Sequence, residues 1–214
     1  MMKLQINGID AFVEDNDQYL QINDVSASDL RMIWERVKTD YASYDKWLCF
    51  RNTDIPYVLL DELGAVLKDD CIEMRLYADK MNESETLGVE QVSDETFGEF
   101  ATLHDERNPD MYWTGERLLR DLSKWGIFCL RLNERIANYI IMSMRHPTEA
   151  EIFCIEAYNS AECKKLIACA AKYAFGNGKS EVLYQADNDL THEAALSIGF
   201  TVNGFYKGYM VKHI

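Results

Sequence analysis

Six cysteines are the most reactive side chains of this sequence, able in principle to act as nucleophiles, redox groups or metal ligands. Three of them lie in apolar runs: Cys49 in WLCF, Cys129 in IFCL and Cys154 in EIFCI. No pair has CxxC spacing, and none has a histidine at the spacing of a zinc site. The sequence therefore predicts reduced, buried thiols and no metal site.

The charge of the chain restricts its binding partners. Its 36 acidic residues outnumber 22 basic ones, and the formal net charge is -14. Nucleic-acid binding is not expected, because it needs a basic surface to replace counterions. An acidic surface attracts cations, so a positively charged amine is the favoured small substrate, although such a surface can also serve solubility alone.

The length of the chain limits the number of domains, and its N-terminal sequence bears on the expected cellular location. A chain of 214 residues with 48% hydrophobic residues is long enough for one large domain or two small ones. The N-terminal MMKLQINGID lacks both segments of a signal peptide, and no apolar run is long enough to cross a membrane. We expect a cytoplasmic protein, with the polar segment DKMNESETL, residues 79–87, as a linker between two regions.

The first region alternates strands and helices. The runs KLQI, DAFVE and QYLQIN, separated by the turn signals NG and EDND, predict a short antiparallel meander. The segment SASDLRMIWERVKTDY predicts a helix, because apolar residues recur at helical spacing behind the capping pair Ser26 and Asp29. The strand KWLCFR, a helix after Asn52 and the strand-pair-like segment LKDDCIEMRLY follow.

The second region has the order β-α-α-β-β-β-α-β-α-β. Its two leading helices are SDETFGEFATLH and TGERLLRDLSKW, with Ser93 and Thr114 as N-caps and Leu118, Leu119 and Leu122 facing inward. Short turns require antiparallel neighbours, whereas the strand-helix-strand crossover at 151–187 requires a parallel pair. The sheet is therefore predicted to be mixed.

This order resembles the GNAT superfamily, the GCN5-related N-acetyltransferases. CKKLIACAAKYAFGNGKSEVLY is similar to the family's central helix, glycine stop and following strand, and NDLTHEAALSIGF has its spacing from Asn188 to Gly199. The resemblance covers residues 87–214. It implies an α/β (α+β) fold with a mixed, mostly antiparallel central sheet flanked by helices, and acetyl-CoA as co-substrate.

The first region looks like a partial repeat of the same fold. KWLCFRNTDIPYVLLDELGA, residues 46–65, is similar to EVLYQADNDLTHEAALSIGF, residues 181–200. We therefore interpret residues 1–80 as a truncated GNAT-like half domain fused to a complete domain at 87–214. The alternative is that strand-helix-strand order is generic and the likeness rests only on Asn52 with Asn188 and Gly64 with Gly199.

The resemblance also implies a position for acetyl-CoA. EIFCIEA would be the first of two parallel strands that splay apart, and its backbone would bind the pantetheine arm, with an amide polarising the thioester carbonyl. The pyrophosphate would lie on the N-terminus of the central helix, where free amides favour anions. The residues implied to bind the cofactor are Ile155, Ala157, Asn159, Ser160, Ala161, Cys163, Lys164 and Asn188.

Two departures from the family pattern weaken this expectation. The family's phosphate loop contains glycines, whereas this chain has YNSAEC, in which Glu162 adds negative charge and can pair with Asn159 as a helix cap. Many members also carry a tyrosine four residues before the helix-ending glycine to protonate the thiolate. Here that position is Ala195, and in the first copy it is Leu60.

The resemblance supplies candidates for the base and for the acceptor site. Glu151 resembles the general base of the histone-acetylating branch, although it could simply begin a strand in solvent, and His192 is a rival base. In NPDMYWTGERL the implied acceptor wall would receive a cationic amine by cation-π and charge contacts. Its residues are Tyr112, Trp113 and Glu116, and the alternative is a hydrophobic staple before a capped helix.

The resulting hypothesis is an N-acetyltransferase that transfers acetyl from acetyl-CoA directly to a primary amine of a small or peptidic acceptor. The alternative is a catalytically degenerate protein of the same fold that binds CoA or another protein. Both a monomer and a homodimer stay open.

Overall fold

A computed structural model describes residues 2–212 of the chain, which form two units. The first unit comprises Met1–Glu73 with Gly204–Ile214, and the second comprises Met74–Asn203. The expected domains, residues 1–80 and 87–214, therefore differ from the units at both ends of the second region and remain a prediction. Residues 1, 213 and 214 of those ranges lie outside the described residues.

The first unit has one layer of helices on a sheet with the order β1-β2-β3-β4-β11-β5. Strands β1 and β2 form a hairpin around Asn7 and Gly8, which both have the positive φ of a tight two-residue turn. The β3–β4 pair is parallel. The elements of this unit are β1 (Met2–Ile6), β2 (Ile9–Glu14), β3 (Tyr19–Asn23), α1 (Ala27–Asp40), β4 (Asp45–Arg51) and α2 (Tyr57–Glu62), with parts of β5 (Val66–Tyr77) and β11 (Thr201–Val211).

Helix α1 forms as its sequence predicts. The Ser26 hydroxyl accepts the Asp29 amide and donates to the Asp29 carboxylate, which is the expected capping pair. Its apolar stripe is buried against β3 and β4: Leu30, Ile33, Trp34 and Val37. Burial of this stripe, rather than intrinsic propensity, is what holds a 14-residue helix in place.

The second unit confirms the expected order of elements. Its sheet runs β5-β10-β9-β8-β7-β6; the β9–β10 pair is parallel and the β8–β9, β7–β8 and β6–β7 pairs are antiparallel, in agreement with a mixed, mostly antiparallel sheet. Helices cover both faces: α5 and α6 on one, α3 and α4 on the other. The further elements are β6 (Val89–Gln91), α3 (Phe97–Arg107), α4 (Gly115–Leu119), β7 (Trp125–Leu132), β8 (Arg135–Ser143), β9 (Glu149–Glu156), α5 (Ser160–Gly176), β10 (Glu181–Ala186) and α6 (Asp189–Ile198).

Several local expectations are wrong in detail. LKDDCIEMRLY is one continuous strand, β5, instead of a pair. Helix α3 begins at Phe97, because the Ser93 amide and hydroxyl bond Thr96 in a preceding turn. Helix α4 is only five residues long. Leu118 is buried as expected, whereas Leu119, also expected to face inward, is 56% exposed.

The expected linker at residues 79–87 packs on the second unit. Asn82 donates its amide to the Ile198 carbonyl and its side-chain amide to the Ser197 carbonyl, at the end of α6. Lys172 of α5 donates to the Ser84 carbonyl. Among the described helices, none is long and apolar enough to cross a membrane.

The two copies of the proposed repeat, residues 46–65 and 181–200, are alike at their glycines and differ at their asparagines. Gly64 and Gly199 both have positive φ, and the residue after each donates its amide to a carbonyl five residues back, Leu60 or Ala195. Asn188 caps α6 by accepting the Thr191 amide. Asn52 does not cap α2; it accepts the Phe205 amide of β11 instead.

Candidate active site

The candidate site begins where strands β9 and β10 stop pairing. Their parallel register runs from Glu149 opposite Glu181 to Ile152 opposite Tyr184 and ends there. Strand β9 continues for four more residues, to Glu156. The last half of β9 therefore offers its backbone groups on the side facing β10, and an extended ligand can bind there as an added strand.

A bulge in β9 lies at the same level. On the β8 side the register passes from Cys154 opposite Ile141 to Ile152 opposite Met142, so Phe153 is the extra residue. A bulge re-aims side chains and interrupts the ladder. Here it leaves the Phe153 ring 38% exposed, while Ile155 and Ala157 pack half-buried against the core under α5.

The N-terminus of α5 is already capped by the chain itself. The Asn159 side chain accepts the Glu162 amide at 3.0 Å and donates to the Glu162 carboxylate at 2.9 Å, which is the reciprocal cap expected from YNSAEC. The Cys163 amide donates to the Asn159 carbonyl, and its thiol is in the core. Two amides of the first turn are thus occupied, and one of them, that of Cys163, belongs to a residue expected to bind the cofactor.

Two amides of the first turn remain for an anion. Those of Ser160 and Ala161 precede the first intrahelical donor, the Cys163 amide, and point out of the N-terminal end of the helix. Lys164, one turn further along, is half-buried. Asn188 uses its side chain to cap α6 and to donate to Asp187, so it too acts first as a cap.

Glu151 lies in β9 on the face covered by α3 and α4. Its neighbours Ala150 and Ile152 belong to the core on the opposite face. Its carboxylate accepts a hydrogen bond from the Gln185 side chain of β10 at 3.0 Å. It is half-buried, two residues before the bulge, so a carboxylate is held near the point where the strands diverge.

The rival base His192 lies in α6. It is half-buried, and within residues 2–212 its Nε2 atom is buried without a hydrogen-bond partner. Ala195, at the position of the family's tyrosine, is fully buried in the core. No hydroxyl can replace that tyrosine from this position.

The expected acceptor wall holds cations of its own. Arg117 lies over the Tyr112 ring and donates to the Tyr112 carbonyl, and Arg145 lies over the Trp113 ring. Glu116 is exposed and pairs with Arg120. The structure therefore brings Trp113 to the bulge, 6.1 Å from the Phe153 ring, but gives the cation-π contacts to arginines of the chain.

The backbone of Trp113 is anchored by a buried histidine. His104 Nε2 donates to the Trp113 carbonyl at 2.8 Å, so its Nδ1 accepts from the Tyr139 hydroxyl at 3.1 Å. Asn108 donates to the same hydroxyl at 2.8 Å. The hydrogen bonds of this network are satisfied within the core, which makes it a support for the wall instead of a catalytic group.

The cysteines near the site are thiols. Burial raises the pKa of Cys163 to about 12, and burial followed by the Glu156 carboxylate raises that of Cys154 well above its usual range. No disulfide joins the six cysteines, all of which lie within residues 2–212, and four of them are buried. A thiol at these positions is a poor nucleophile at neutral pH.

Three residues of this region escape sequence reasoning: Phe153, Trp125 and Arg145. Each looks ordinary in its own segment, an apolar strand residue or a surface arginine. The rings of Trp125 and Phe153 lie 5.7 Å apart. No local pattern in their segments marks these three residues as members of one cluster.

Comparisons with solved structures give the fold. A GCN5-related N-acetyltransferase from Kribbella flavida superposes with a TM-score of 0.67 at 12% identity, covering 98% of this chain and 89% of that one. A GCN5-related N-acetyltransferase from Sphaerobacter thermophilus gives 0.66 at 13% identity, covering 94% and 75%. N-myristoyltransferase from Saccharomyces cerevisiae, solved with bound myristoyl-CoA, gives 0.58 at 10% identity, covering 97% and 62%.

No family model and no curated protein sequence matches the chain. The structural likeness spans nearly the whole chain. The chain therefore has the fold of the GCN5-related N-acetyltransferases, with splayed strands and a bulge in its second unit.

Proposed function

We propose that the chain is an N-acyltransferase that transfers acetyl from acetyl-CoA directly to a primary amine. The observation that carries this proposal is the four-residue extension of β9 beyond its pairing with β10, next to a bulge. An exposed strand edge of this length suits the two amides of a pantetheine arm. The likeness to a fold that includes a myristoyl-CoA-binding protein supports the same class of co-substrate.

The residues that would hold acetyl-CoA are those at the junction of β9 and α5. The backbone near Ile155 and Ala157 would bind the pantetheine arm, and the amides of Ser160 and Ala161 with Lys164 would bind the pyrophosphate. The Glu162 carboxylate opposes this by repulsion, at a cost on the order of a few kcal/mol at most. When bound, acetyl-CoA supplies an activated acetyl thioester.

Glu151 is the residue that we assign as general base. An amine with a pKa of about 10 is protonated at neutral pH and must lose a proton before it can attack. Glu151 accepts that proton, directly or through water, while a β9 amide stabilises the negative charge that develops on the thioester oxygen. Because Ala195 stands at the position of the family's tyrosine, water supplies the proton to the departing thiolate. A thiolate whose thiol has a pKa of about 8.5 is a tolerable leaving group without a dedicated acid.

The first unit is proposed to be a half copy that lacks such a site. Like β8, β9 and β10, its strands β2, β3 and β4 form an antiparallel pair followed by a parallel pair across a helix. However, β3 pairs with β4 up to its last residue, Asn23 opposite Cys49. No extended edge is left there, so one acetyl-CoA per chain is expected.

A binding measurement tests this function. Acetyl-CoA at 100 times its dissociation constant should stabilise the protein by roughly 2.7 kcal/mol in thermal unfolding. Charge reversal Lys164→Glu should weaken the affinity at least tenfold in calorimetric titration, whereas Lys172→Glu, about 12 Å further along α5, should not. Unchanged affinity in Lys164→Glu would place the co-substrate elsewhere, and no stabilisation at all would refute the proposal.

The second candidate is a degenerate relative that binds CoA or a protein without catalysis. It is favoured by the Asn159–Glu162 cap, which occupies the helix N-terminus, and by Ala195. Stoichiometric acetyl-CoA binding without acetylation of any amine in a broad panel would select this candidate.

A further inference from the structure

Arg145 lies against two tryptophan rings beside the candidate site. Its guanidinium carbon lies 4.5 Å from the Trp113 ring centre and 4.8 Å from that of Trp125. The two rings themselves lie 4.9 Å apart, and Phe153 of the bulge completes the cluster. Contact with two aromatic rings restricts the position of a guanidinium.

The charge of Arg145 is only loosely compensated. The Asp121 carboxylate that it faces lies 3.8 Å from its Nη2, beyond hydrogen-bond distance, and lies closer to Lys124, at 3.2 Å. Within residues 2–212 the guanidinium has no hydrogen-bond acceptor. A half-exposed cation with a restricted position and vacant donors is suited to bind an anion.

Trp125 adds a second vacant donor to the same cluster. Its side chain is almost completely buried, at 4% exposure, and its Nε1 has no partner among the described residues. A buried donor without an acceptor costs about 1–3 kcal/mol, and native structures rarely leave one without a reason. Because both vacant groups are donors, the ligand that satisfies them carries acceptor oxygens, as a carboxylate does.

The register of the sheet relates this cluster to Glu151. Trp125 of β7 lies opposite Ser143 of β8, and Ser143 lies opposite Glu151 of β9. Residues directly opposite one another in antiparallel strands share a face, and two strand spacings amount to about 10 Å. Trp125 and the candidate base are thus on one face, at a separation that a short aliphatic chain can span, and the Arg145 guanidinium lies against the Trp125 ring.

We propose that Arg145 and Trp125 bind a carboxylate of the acceptor, and that the acceptor is an ω-amino carboxylic acid whose amine reaches Glu151. This inference rests on the proposed function, because it names the acceptor of the same transfer. A protonated amine at one end remains compatible with the acidic surface, and Arg145 supplies the cation for the carboxylate at the other end.

The test compares acceptors that differ in one group. The specificity constant kcat/KM is measured for 6-aminohexanoate, for hexylamine, which lacks the carboxylate, and for norleucine, whose amine is next to the carboxylate. The wild type should use 6-aminohexanoate at least about tenfold better than either. Arg145→Gln should remove the preference over hexylamine by slowing 6-aminohexanoate alone, while Arg120→Gln, a nearby exposed arginine, should keep it.

The outcomes separate the two proposals. If hexylamine is acetylated and 6-aminohexanoate has no advantage, or norleucine is equally good, the carboxylate site is wrong and the acetyltransferase stands. If no amine is acetylated, the proposed acetyltransferase activity is wrong. The carboxylate site is then tested by measuring tryptophan fluorescence while hexanoate is added. Quenching in the wild type but not in Arg145→Gln supports the carboxylate site, and equal or absent quenching overturns it.

Discussion

At the scale of single residues, the candidate chemistry depends on one carboxylate and on what surrounds it. Glu151 of β9 accepts a hydrogen bond from Gln185 of β10, which directly follows the last paired residue of that strand. This contact orients the carboxylate. The bulge at Phe153 lies two residues further along β9. The Gln185 side chain is a neutral donor, so this hydrogen bond places no positive charge beside the carboxylate.

We predict that Glu151→Gln lowers kcat/KM by about 100-fold or more, because general base catalysis contributes about that much. The wild-type rate should rise with pH as the base and the amine deprotonate, and the variant should lose the part of the rise due to the base. Acetyl-CoA affinity should hardly change. Glu149→Gln, on the same strand and near Arg75, is the matched control and should retain activity. Full activity of Glu151→Gln across the pH range would assign the base to another group.

At the scale of elements, the two helix-ending glycines differ in what surrounds them. Both Gly64 and Gly199 adopt the left-handed conformation that other residues avoid. A Cβ at Gly64 would meet nothing within 4 Å, whereas one at Gly199 would collide with the Lys80 carbonyl oxygen. The segment after β5 is therefore packed on the end of α6 as closely as a glycine allows.

We predict that Gly64→Ala destabilises the protein by about 1–2 kcal/mol, the cost of the left-handed conformation alone. Gly199→Ala should cost clearly more, because the backbone near Lys80 must also move. Urea unfolding of the two variants measures the difference. Equal losses of unfolding free energy in the two variants would mean that the 79–87 segment moves away from the new Cβ without an energetic cost.

A carboxylate also joins α3 to the β7–β8 hairpin. Glu99 accepts the Ile136 amide at 2.7 Å and the Arg131 guanidinium at 3.0 Å. The Ile136 amide first, and Arg131 after it, hold the pKa of Glu99 below its usual value. A carboxylate whose pKa is lowered on folding stabilises the fold above its unfolded pKa and loses this contribution as the pH falls.

We predict that Glu99→Gln lowers the Tm at pH 7. The difference from wild type should shrink as the pH falls through about 4.3, the unfolded value, and vanish below the folded one. Thermal unfolding of both proteins between pH 7 and pH 3 measures this. A difference that does not depend on pH would show that the loss comes from packing.

At the scale of the whole molecule, the units do not follow the order of the chain. The last strand belongs to the first unit from Gly204 to its end at Val211, and its residues Tyr206 to Val211 pair with Arg51 to Lys46 of β4. Tyr209 and Val211 join the core of that unit. The second unit instead contains the end of β5, residues 74–77.

We predict that a chain ending at Asn203 loses protection in the first unit. Amide hydrogen exchange in β4 should become much faster, because β4 loses its β11 partner and the core loses two side chains. The β7–β8 hairpin is the internal reference and should stay protected. Unchanged exchange in β4 would show that β11 is dispensable there.

Local features of the fold could be predicted from the sequence because their causes lie within a few residues. Helix stripes, the Ser26, Thr114 and Asn159 caps, the turn at Asn133 and Glu134, and the mixed sheet all follow from spacing and turn chemistry. The reciprocal pair of Asn159 and Glu162 is of this kind, since its partners are three residues apart. The order of elements in the second region was equally accessible.

Tertiary structure alone decided which distant groups meet. Arg145 reaches Trp113 and Trp125, Asn52 binds β11 in place of capping α2, and β11 completes the sheet of the first unit. Pairing partners and ring contacts depend on which strand edge and which face remain available after the sheet has formed, and no local pattern records this. The sequence by itself therefore determined the elements and the fold class, whereas the contents of the candidate acceptor site were set by contacts between residues far apart in the chain.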